Sequence, residues 1–289
     1  MAIPALASVQ GTFQRSFQVS GPVDLDVLTR SGDVTVHNGP AGSVSISGKI
    51  YVSDRWFGGD HRADVAEIEK NPPIQQSGNN IKIDYLNFHN ISIDYDITVP
   101  ADTTLTTRSG SGDQTIEGLN RKMTLESGSG DMRLTAITGE VRLRTGSGDV
   151  QAHDISGPID AEAGSGDIRV TEKSSGNVRA HTGSGSIELS GVNGTAWAET
   201  GSGDVTVEGK QTGDWEVRTG SGNVNLRLPS DAAFDLDAST SSGNLEVEQP
   251  VTMTVQGNLE HERKSVQGKV RGGGPAVRVH TGSGDIRVE

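Results

Sequence analysis

A four-residue motif, Gly-Ser-Gly-Asp or a close variant, recurs along the chain at a nearly constant interval. The last residue of the motif stands at ten positions: Asp33, Asp113, Asp131, Asp149, Asp167, Ser186, Asp204, Asn223, Asn244 and Asp285. From Asp113 onward the intervals are 18, 18, 18, 19, 18, 19, 21 and 41 residues. A repeat this short cannot bury its apolar residues alone, so the interval predicts a solenoid in which each coil stacks on the next.

Two short stretches of each repeat alternate apolar and polar residues, which is the period of a strand with one buried face. Leu143 and Val205 are examples of the apolar positions, one before a motif and one after it. The residue directly before the motif, such as Thr182, is usually Thr or Ser and is expected to point inward as well. The sequence therefore predicts an all-β fold, a single-stranded parallel β-solenoid with two main sheets and coils of about 18–19 residues.

The outward positions of successive coils carry charges whose sign largely alternates. One column contains Arg108, Glu126, Arg144, Glu162, His181, Glu199 and Arg218, and another contains Arg142, Asp160, Arg179, Trp197 and Glu216. Stacked one coil apart, such residues are predicted to form ladders of surface ion pairs. Each pair contributes about 0–1 kcal/mol, but together they favour one register over its slipped alternatives.

Two regions interrupt the repeat. Residues from about 50 to 100 form an insert near the N-terminal end, predicted to contain strands and one short helix. The helix is expected to have Asp60 as its N-cap and the segment from Ala63 to Lys70 as its body. A solenoid needs its open core covered at the ends, and this insert is expected to do so. Residues from about 251 to 274 are polar and are predicted to form an irregular loop.

The repeats place one solenoid domain at residues 13–289, and residues 1–12 are interpreted as a residual export or linker segment. The stretch from Met1 to Ser8 resembles the small-residue end of a secretory signal whose apolar part has been removed. This interpretation predicts an exported protein of the periplasm, the cell envelope or the extracellular space.

Charge and composition exclude several classes of function. The formal net charge of −13 disfavours binding to nucleic acid or to an anionic membrane surface, since both need a cationic field. The chain has no cysteine, which excludes disulfides, thiol catalysis and cysteine-bound zinc. No apolar run approaches the ~18–20 residues of a transmembrane segment, and no motif predicts a cofactor.

The order of these features carries a resemblance to a known family. The segment Tyr95-Asp96-Ile97-Thr98-Val99-Pro100 leads into the repeated Thr-Gly-Ser-Gly-Asp corners, which continue as far as Asp285. In this order the chain resembles the bacterial "putative adhesin" family, a domain of unknown function related to the head domains of autotransporter adhesins. The resemblance implies a right-handed β-solenoid in an exported bacterial protein. It implies a non-catalytic structural or interaction module, because the family has no assigned catalytic residues.

The aspartate column also permits a calcium-binding β-roll as an alternative. Its candidate ligands are Asp113, Asp131, Asp149 and Asp167. Calcium β-rolls place ligands in both turns of a coil, whereas these residues lie in one turn only. Ser and Asn replace Asp at three corners, which favours a role in shaping the turn, where Asp, Asn and Ser all accept hydrogen bonds from backbone amides.

A carbohydrate-active β-helix enzyme, a polysaccharide hydrolase or lyase, is the leading alternative of another class. It would need paired carboxylates in a groove, with the insert and the 251–274 segment as its walls. For an interaction module, the candidate binding residues are Trp56 and Phe57, adjacent aromatics that either cap the core or contact a partner. The partner class left open is a protein or a carbohydrate, and self-association through the solenoid ends is a further expectation.

Overall fold

The structure is a computed structural model, and it describes residues 9–53, 61–86, 90–252 and 264–289. Trp56, Phe57 and Asp60 lie outside the described residues. The chain divides into two compact units, residues 1–139 and 140–289. In the described parts of the chain, no helix is both long and apolar enough to cross a bilayer.

The first unit contains eleven strands and one helix in its described part. They are β1 (Val9–Gln18), β2 (Val23–Ser31), β3 (Val34–Gly39), β4 (Ser43–Val52), α1 (Arg62–Lys70), β5 (Ile74–Ser77), β6 (Asn80–Ile83), β7 (Ile91–Pro100), β8 (Thr103–Ser111), β9 (Gln114–Glu117), β10 (Met123–Ser129) and β11 (Met132–Thr135). Within this unit one sheet has the order β1-β4-β7-β3-β9-β11 and the other the order β10-β8-β2-β6-β5. Each coil consists of two consecutive strands: β2 with β3, β8 with β9, and β10 with β11. Corresponding strands of neighbouring coils pair in parallel, as the repeat predicts.

The insert extends the first unit: β6 and β5 end one sheet, and α1 packs against β1, the end strand of the other, where the Thr12 N–H donates to Glu69 Oε1 at 2.8 Å. Strands β1, β4 and β7 pair antiparallel, and the rings of Phe13 and Tyr95 meet edge to face with centroids 6.3 Å apart. Phe13 lies so close to Gly48 that a Cβ there would stand 2.2 Å from the ring. The predicted helix is confirmed as α1, although its N-cap is His61, without a side-chain capping bond.

The second unit contains sixteen strands in its described part. They are β12 (Val141–Ser147), β13 (Val150–Ile155), β14 (Ile159–Ser165), β15 (Ile168–Glu172), β16 (Val178–Ser184), β17 (Ile187–Val192), β18 (Ala196–Ser202), β19 (Val205–Gly209), β20 (Trp215–Ser221), β21 (Val224–Arg227), β22 (Phe234–Ser242), β23 (Leu245–Val247), β24 (Val251–Thr252), β25 (Ser265–Val270), β26 (Ala276–Ser283) and β27 (Ile286–Val288). Within it one sheet runs β13-β15-β17-β19-β21-β27-β23. The other runs β24-β25-β22-β26-β20-β18-β16-β14-β12.

The coils of the second unit do not stack in simple sequence order. The coil formed by β26 and β27, which comes last in the chain, lies between the coil of β20 and β21 and the coil of β22 and β23. Beyond β22, strands β25 and β24 add to the sheet in antiparallel pairing. The segment from 251 to 274 is predicted from the sequence to be an irregular loop, but its described residues, 251–252 and 264–274, include two strands that extend a sheet.

The core is a narrow stack of inward columns, and the predicted apolar positions are confirmed as buried. Leu143, Val205 and Trp215 are all 0% exposed. The hydroxyl column is also buried, and threonines of the second unit hydrogen-bond across coils: Thr182 Oγ1 donates to the Gly166 carbonyl at 3.0 Å and Thr200 Oγ1 to the Gly185 carbonyl at 2.9 Å. These bonds satisfy the polar groups that a thin core would otherwise leave unpaired.

Candidate binding groove

The corner aspartates form hydrogen-bonded ladders within each unit. Asp113 Oδ1 accepts the backbone N–H of Asp131 at 2.9 Å, and Asp167 Oδ1 accepts that of Ser186 at 2.9 Å. Toward the C-terminus, Asn223 Oδ1 accepts the N–H of Asp285 at 2.9 Å. These corner side chains therefore tie their own turns to the turn of an adjacent coil, and the amide oxygen of Asn223 does so at the same distance as the carboxylates.

Arginine binds the other oxygen of several corner carboxylates. Arg133 contacts Asp113 Oδ2 at 3.0 Å and Asp131 Oδ2 at 2.7 Å, and Arg169 contacts Asp167 Oδ2 at 2.8 Å. Hydrogen bonding to Asp113, with further help from the charge of Asp131, raises the pKa of the Arg133 guanidinium. Among the described residues, no three His, Asp or Glu side chains lie close enough together to hold a metal ion.

Replacing Asp149 by asparagine is expected to change the melting temperature very little. Asp149 Oδ1 accepts the N–H of Asp167 at 2.9 Å, and an asparagine keeps that acceptor, as Asn223 does at its own corner. Thermal denaturation with and without calcium checks this. A large rise in melting temperature with calcium, lost in the Asp149→Asn variant, would contradict the structural role and favour the calcium-binding alternative.

The outward face of the second unit contains the predicted ion pairs, with two departures. Arg142 and Arg179 both contact Asp160, at 3.5 and 3.7 Å. Where the alternation fails, the guanidinium of Arg179 stacks over the Trp197 ring at 3.9 Å from its centroid. Arg218 pairs at 2.5 Å with Glu216 of its own strand instead of bridging to the neighbouring coil. Most charges of this face are thus engaged with one another.

A groove interrupts this face near the C-terminal end of the second unit. Its volume is about 520 Å³, and we call it the C-terminal groove. Its polar side chains come from four adjacent strands: Asp235 and Asp237 of β22, Thr252 of β24, Gln267 and Lys269 of β25, and Arg278 of β26.

The strand pattern explains why these side chains share one face. Residues of β22 alternate, so Phe234, Leu236 and Ala238 are buried while Asp235 and Asp237 point outward. Asp237 lies opposite Gln267 on one side and Arg278 on the other, and Asp235 lies opposite Lys269. The groove therefore exists only because β25 and β26 flank β22.

Contacts hold several lining side chains in place. Gln267 Nε2 donates to Asp237 Oδ1 at 3.1 Å, and Arg278 lies 3.9 Å from Asp214. Asp214 Oδ1 also accepts the backbone N–H of Ala276 at 2.9 Å, which anchors the start of β26. Gly273, beside the groove, has a φ of +88°, which residues with a side chain rarely adopt. Two carboxylates and two cations make the lining nearly neutral.

The comparisons with known proteins identify the family. The family model Toastrack DUF4097 matches residues 17–186 and again residues 138–289. The chain belongs to the Toastrack DUF4097 family. This match confirms the resemblance drawn from the sequence. No curated protein matches the chain at a significant level.

Three solved structures are similar to the Toastrack chain at low identity. A "putative adhesin" from Bacteroides fragilis is 16% identical, covering 97% of this chain and 98% of that one, with a TM-score of 0.39. One from Parabacteroides distasonis is 10% identical, with the same coverage and a TM-score of 0.32. A "putative cell adhesion protein" from Clostridium sporogenes is 13% identical, covering 96% and 98%, with a TM-score of 0.25.

Sequence reasoning missed both the groove and one buried acid of this Toastrack chain. Glu172 ends β15 and pairs with Ile155, so it stands in a column of otherwise apolar second-turn residues that includes Val192. It is 6% exposed, and neither carboxyl oxygen has a hydrogen-bond partner in the described structure. Burial raises the pKa of Glu172 to about 7. Aligning the second turns, as well as the corners, would have revealed this acid.

Replacing Glu172 by glutamine is expected to remove a pH dependence of stability. The pKa of Glu172 is about 7 in the folded chain and 4.5 in the unfolded chain. Between these two pH values the folded chain therefore holds a proton that the unfolded chain has released. The free energy of unfolding has its full value below pH 4.5. It falls by roughly 3 kcal/mol as the pH rises to about 7.

Thermal denaturation at pH 5 and pH 8 measures this effect. Between pH 5 and pH 8 the melting temperature of the native chain is expected to fall by roughly 5–10 °C more than that of Glu172→Gln. Glu208→Gln is the matched control, because Glu208 is exposed and lies 3.7 Å from Arg227. Equal pH dependence of the native chain and the Glu172→Gln variant would show that Glu172 is ionised or solvated in the folded state.

Proposed function

We propose that this Toastrack chain is a non-catalytic interaction module of an exported bacterial envelope protein. Its partner is a protein or a carbohydrate that binds in the C-terminal groove. The observation that carries this proposal is the contrast on the outward face of the second unit. Along β12 to β20 most charged residues pair with one another, whereas at β22 to β26 Asp235, Asp237, Lys269 and Arg278 line a groove of about 520 Å³.

The stacked coils suit such a role because they hold the face rigid. Three of the strands that line the groove, β25, β22 and β26, are hydrogen-bonded to a strand on each side, so the groove loses little backbone entropy when a ligand binds. Self-association through the solenoid ends is a second mode of interaction that we propose, with β23 as an edge strand of the second unit.

One observation favours the enzymatic alternative. The groove contains two carboxylates, Asp235 and Asp237, on the same face of one strand, and paired carboxylates in a groove are the machinery of glycoside hydrolysis. Asp237 already accepts a hydrogen bond from Gln267, which holds it as an acceptor and suits recognition more than proton transfer.

Two assays test the proposed function together. Fluorescently labelled protein is titrated onto intact bacterial and epithelial cells, and the same protein is incubated with a polysaccharide panel while new reducing ends are measured. We expect saturable binding to at least one cell type and no new reducing ends. Absence of saturable binding would contradict an interaction module, and new reducing ends that disappear in Asp235→Asn or Asp237→Asn would establish the enzyme.

A further inference from the structure

The chemistry of the C-terminal groove points to one class of partner. We infer that the groove is an oligosaccharide-binding site in which Arg278, Asp237 and Lys269 hydrogen-bond sugar hydroxyls. This inference rests on the proposed function and specifies its partner. The groove volume of about 520 Å³ lies within the ~300–1,000 Å³ of small-molecule sites, so it suits a short oligosaccharide.

The lining contains donors and acceptors side by side. Lys269 and Arg278 only donate, Asp235 and Asp237 accept, and Gln267 and Thr252 do both. A sugar hydroxyl also donates and accepts, and neighbouring hydroxyls of one ring present both functions close together. The alternation of acid and base across adjacent strands, which lie ~4.8 Å apart, therefore matches a polyhydroxylated ligand.

Other classes of partner fit this lining less well. A stable protein interface has an apolar or aromatic centre, whereas the groove side chains that point outward are polar or charged apart from Ala276. A nucleic acid or an anionic lipid headgroup needs an excess of cations. Here the two cations face two carboxylates, and Asp214 lies 3.9 Å from Arg278 as well.

The lining is also organised before a ligand arrives. Gln267 holds Asp237 at 3.1 Å, and Asp214 lies beside Arg278 while binding the backbone N–H of Ala276 at the start of β26. A hydrogen bond from a ligand to Asp237, which Gln267 already orients, is charge-assisted and loses little side-chain entropy on binding.

The experiment compares two arginines of the same face. Arg278→Gln changes the groove, and Arg142→Gln is the matched control, because Arg142 also points outward and contacts an aspartate, Asp160, at 3.5 Å. The full chain is screened on an array of neutral, amino and uronic oligosaccharides. The best-binding oligosaccharide is then titrated by calorimetry into the native chain, into both variants and into Asp237→Asn.

We expect at least a tenfold loss of affinity in Arg278→Gln and in Asp237→Asn, and no change in Arg142→Gln, with equal melting temperatures for all four proteins. Oligosaccharide binding that survives both groove substitutions would overturn the inference while leaving the interaction module standing. No binding on the array, combined with saturable and protease-sensitive binding to cells, would also overturn it and would establish a protein partner. Failure of both the array and the cell assay would instead contradict the proposed function itself.

Discussion

Replacing Leu143 by aspartate is expected to unfold the second unit. Leu143 is 0% exposed and packs inward on β12, in register with Ala161 of the next coil. A carboxylate there has no partner, and burying it costs several kcal/mol, a large part of the ~5–15 kcal/mol by which a folded domain is stable. Far-UV circular dichroism and thermal denaturation are expected to show the loss of the cooperative transition.

The neighbouring residue provides the control for this substitution. Arg142 points outward on the same strand, so Arg142→Gln is expected to leave stability within about 0.5 kcal/mol of the native chain. Leu143→Ala is expected to lower the free energy of unfolding by about 2–5 kcal/mol, between the effects of Arg142→Gln and Leu143→Asp, because it leaves a cavity but no buried charge. Native-like melting of Leu143→Asp would show that the inward column is wrongly assigned.

The coils themselves could be predicted because their signal is local and repeated. Leu143 and Val205 alternate with outward residues at a period of two, and the motif sets the register of each coil from about eighteen residues of sequence. The buried threonine column follows from the same alignment, since Thr182 and Thr200 occupy one position of the repeat. No long-range information is needed for these assignments.

The order of the coils required information that the repeat does not contain. The coil with Asp285 at its corner lies between those of Asn223 and Asn244, because Asn223 Oδ1 accepts the Asp285 N–H at 2.9 Å and the Asn244 N–H donates to Asp285 Oδ1 at 2.8 Å. Coils with the same corner motif fit against one another interchangeably, so local pattern cannot decide which are neighbours. The 41-residue interval before Asp285 indicates that the repeat is interrupted, but it does not indicate a change in the order of the coils.

The C-terminal groove escaped prediction for the same reason. Asp237, Gln267 and Arg278 are far apart in sequence, and they meet because an antiparallel strand and the inserted coil flank β22 on opposite sides. For the enzymatic alternative, the sequence predicted groove walls in the insert and in the 251–274 segment, and only the second of these supplies residues to the C-terminal groove. Trp56 and Phe57, the binding residues expected from sequence, stay a prediction, to be tested by alanine substitution of each.

The second large effect is expected at the corner glycines, where Gly203→Ala should lower stability by roughly 3–5 kcal/mol. Gly203 has a φ of +145°, which residues with a side chain rarely adopt, and an added Cβ would stand 2.1 Å from the Gly185 carbonyl oxygen of the adjacent coil. Differential scanning calorimetry is expected to show a fall in melting temperature of about 10–15 °C.

Gly272→Ala separates the two causes of that loss. Gly272 also has a positive φ, of +91°, but an added Cβ would meet nothing within 4 Å. The control is therefore expected to cost only the conformational strain, about 1–2 kcal/mol, whereas Gly203→Ala adds the clash with the neighbouring coil. Equal losses in the two variants would mean that the coils can move apart at the corner. In that case backbone conformation, and not the close stacking of Gly-Ser-Gly corners, would be what requires glycine at every turn.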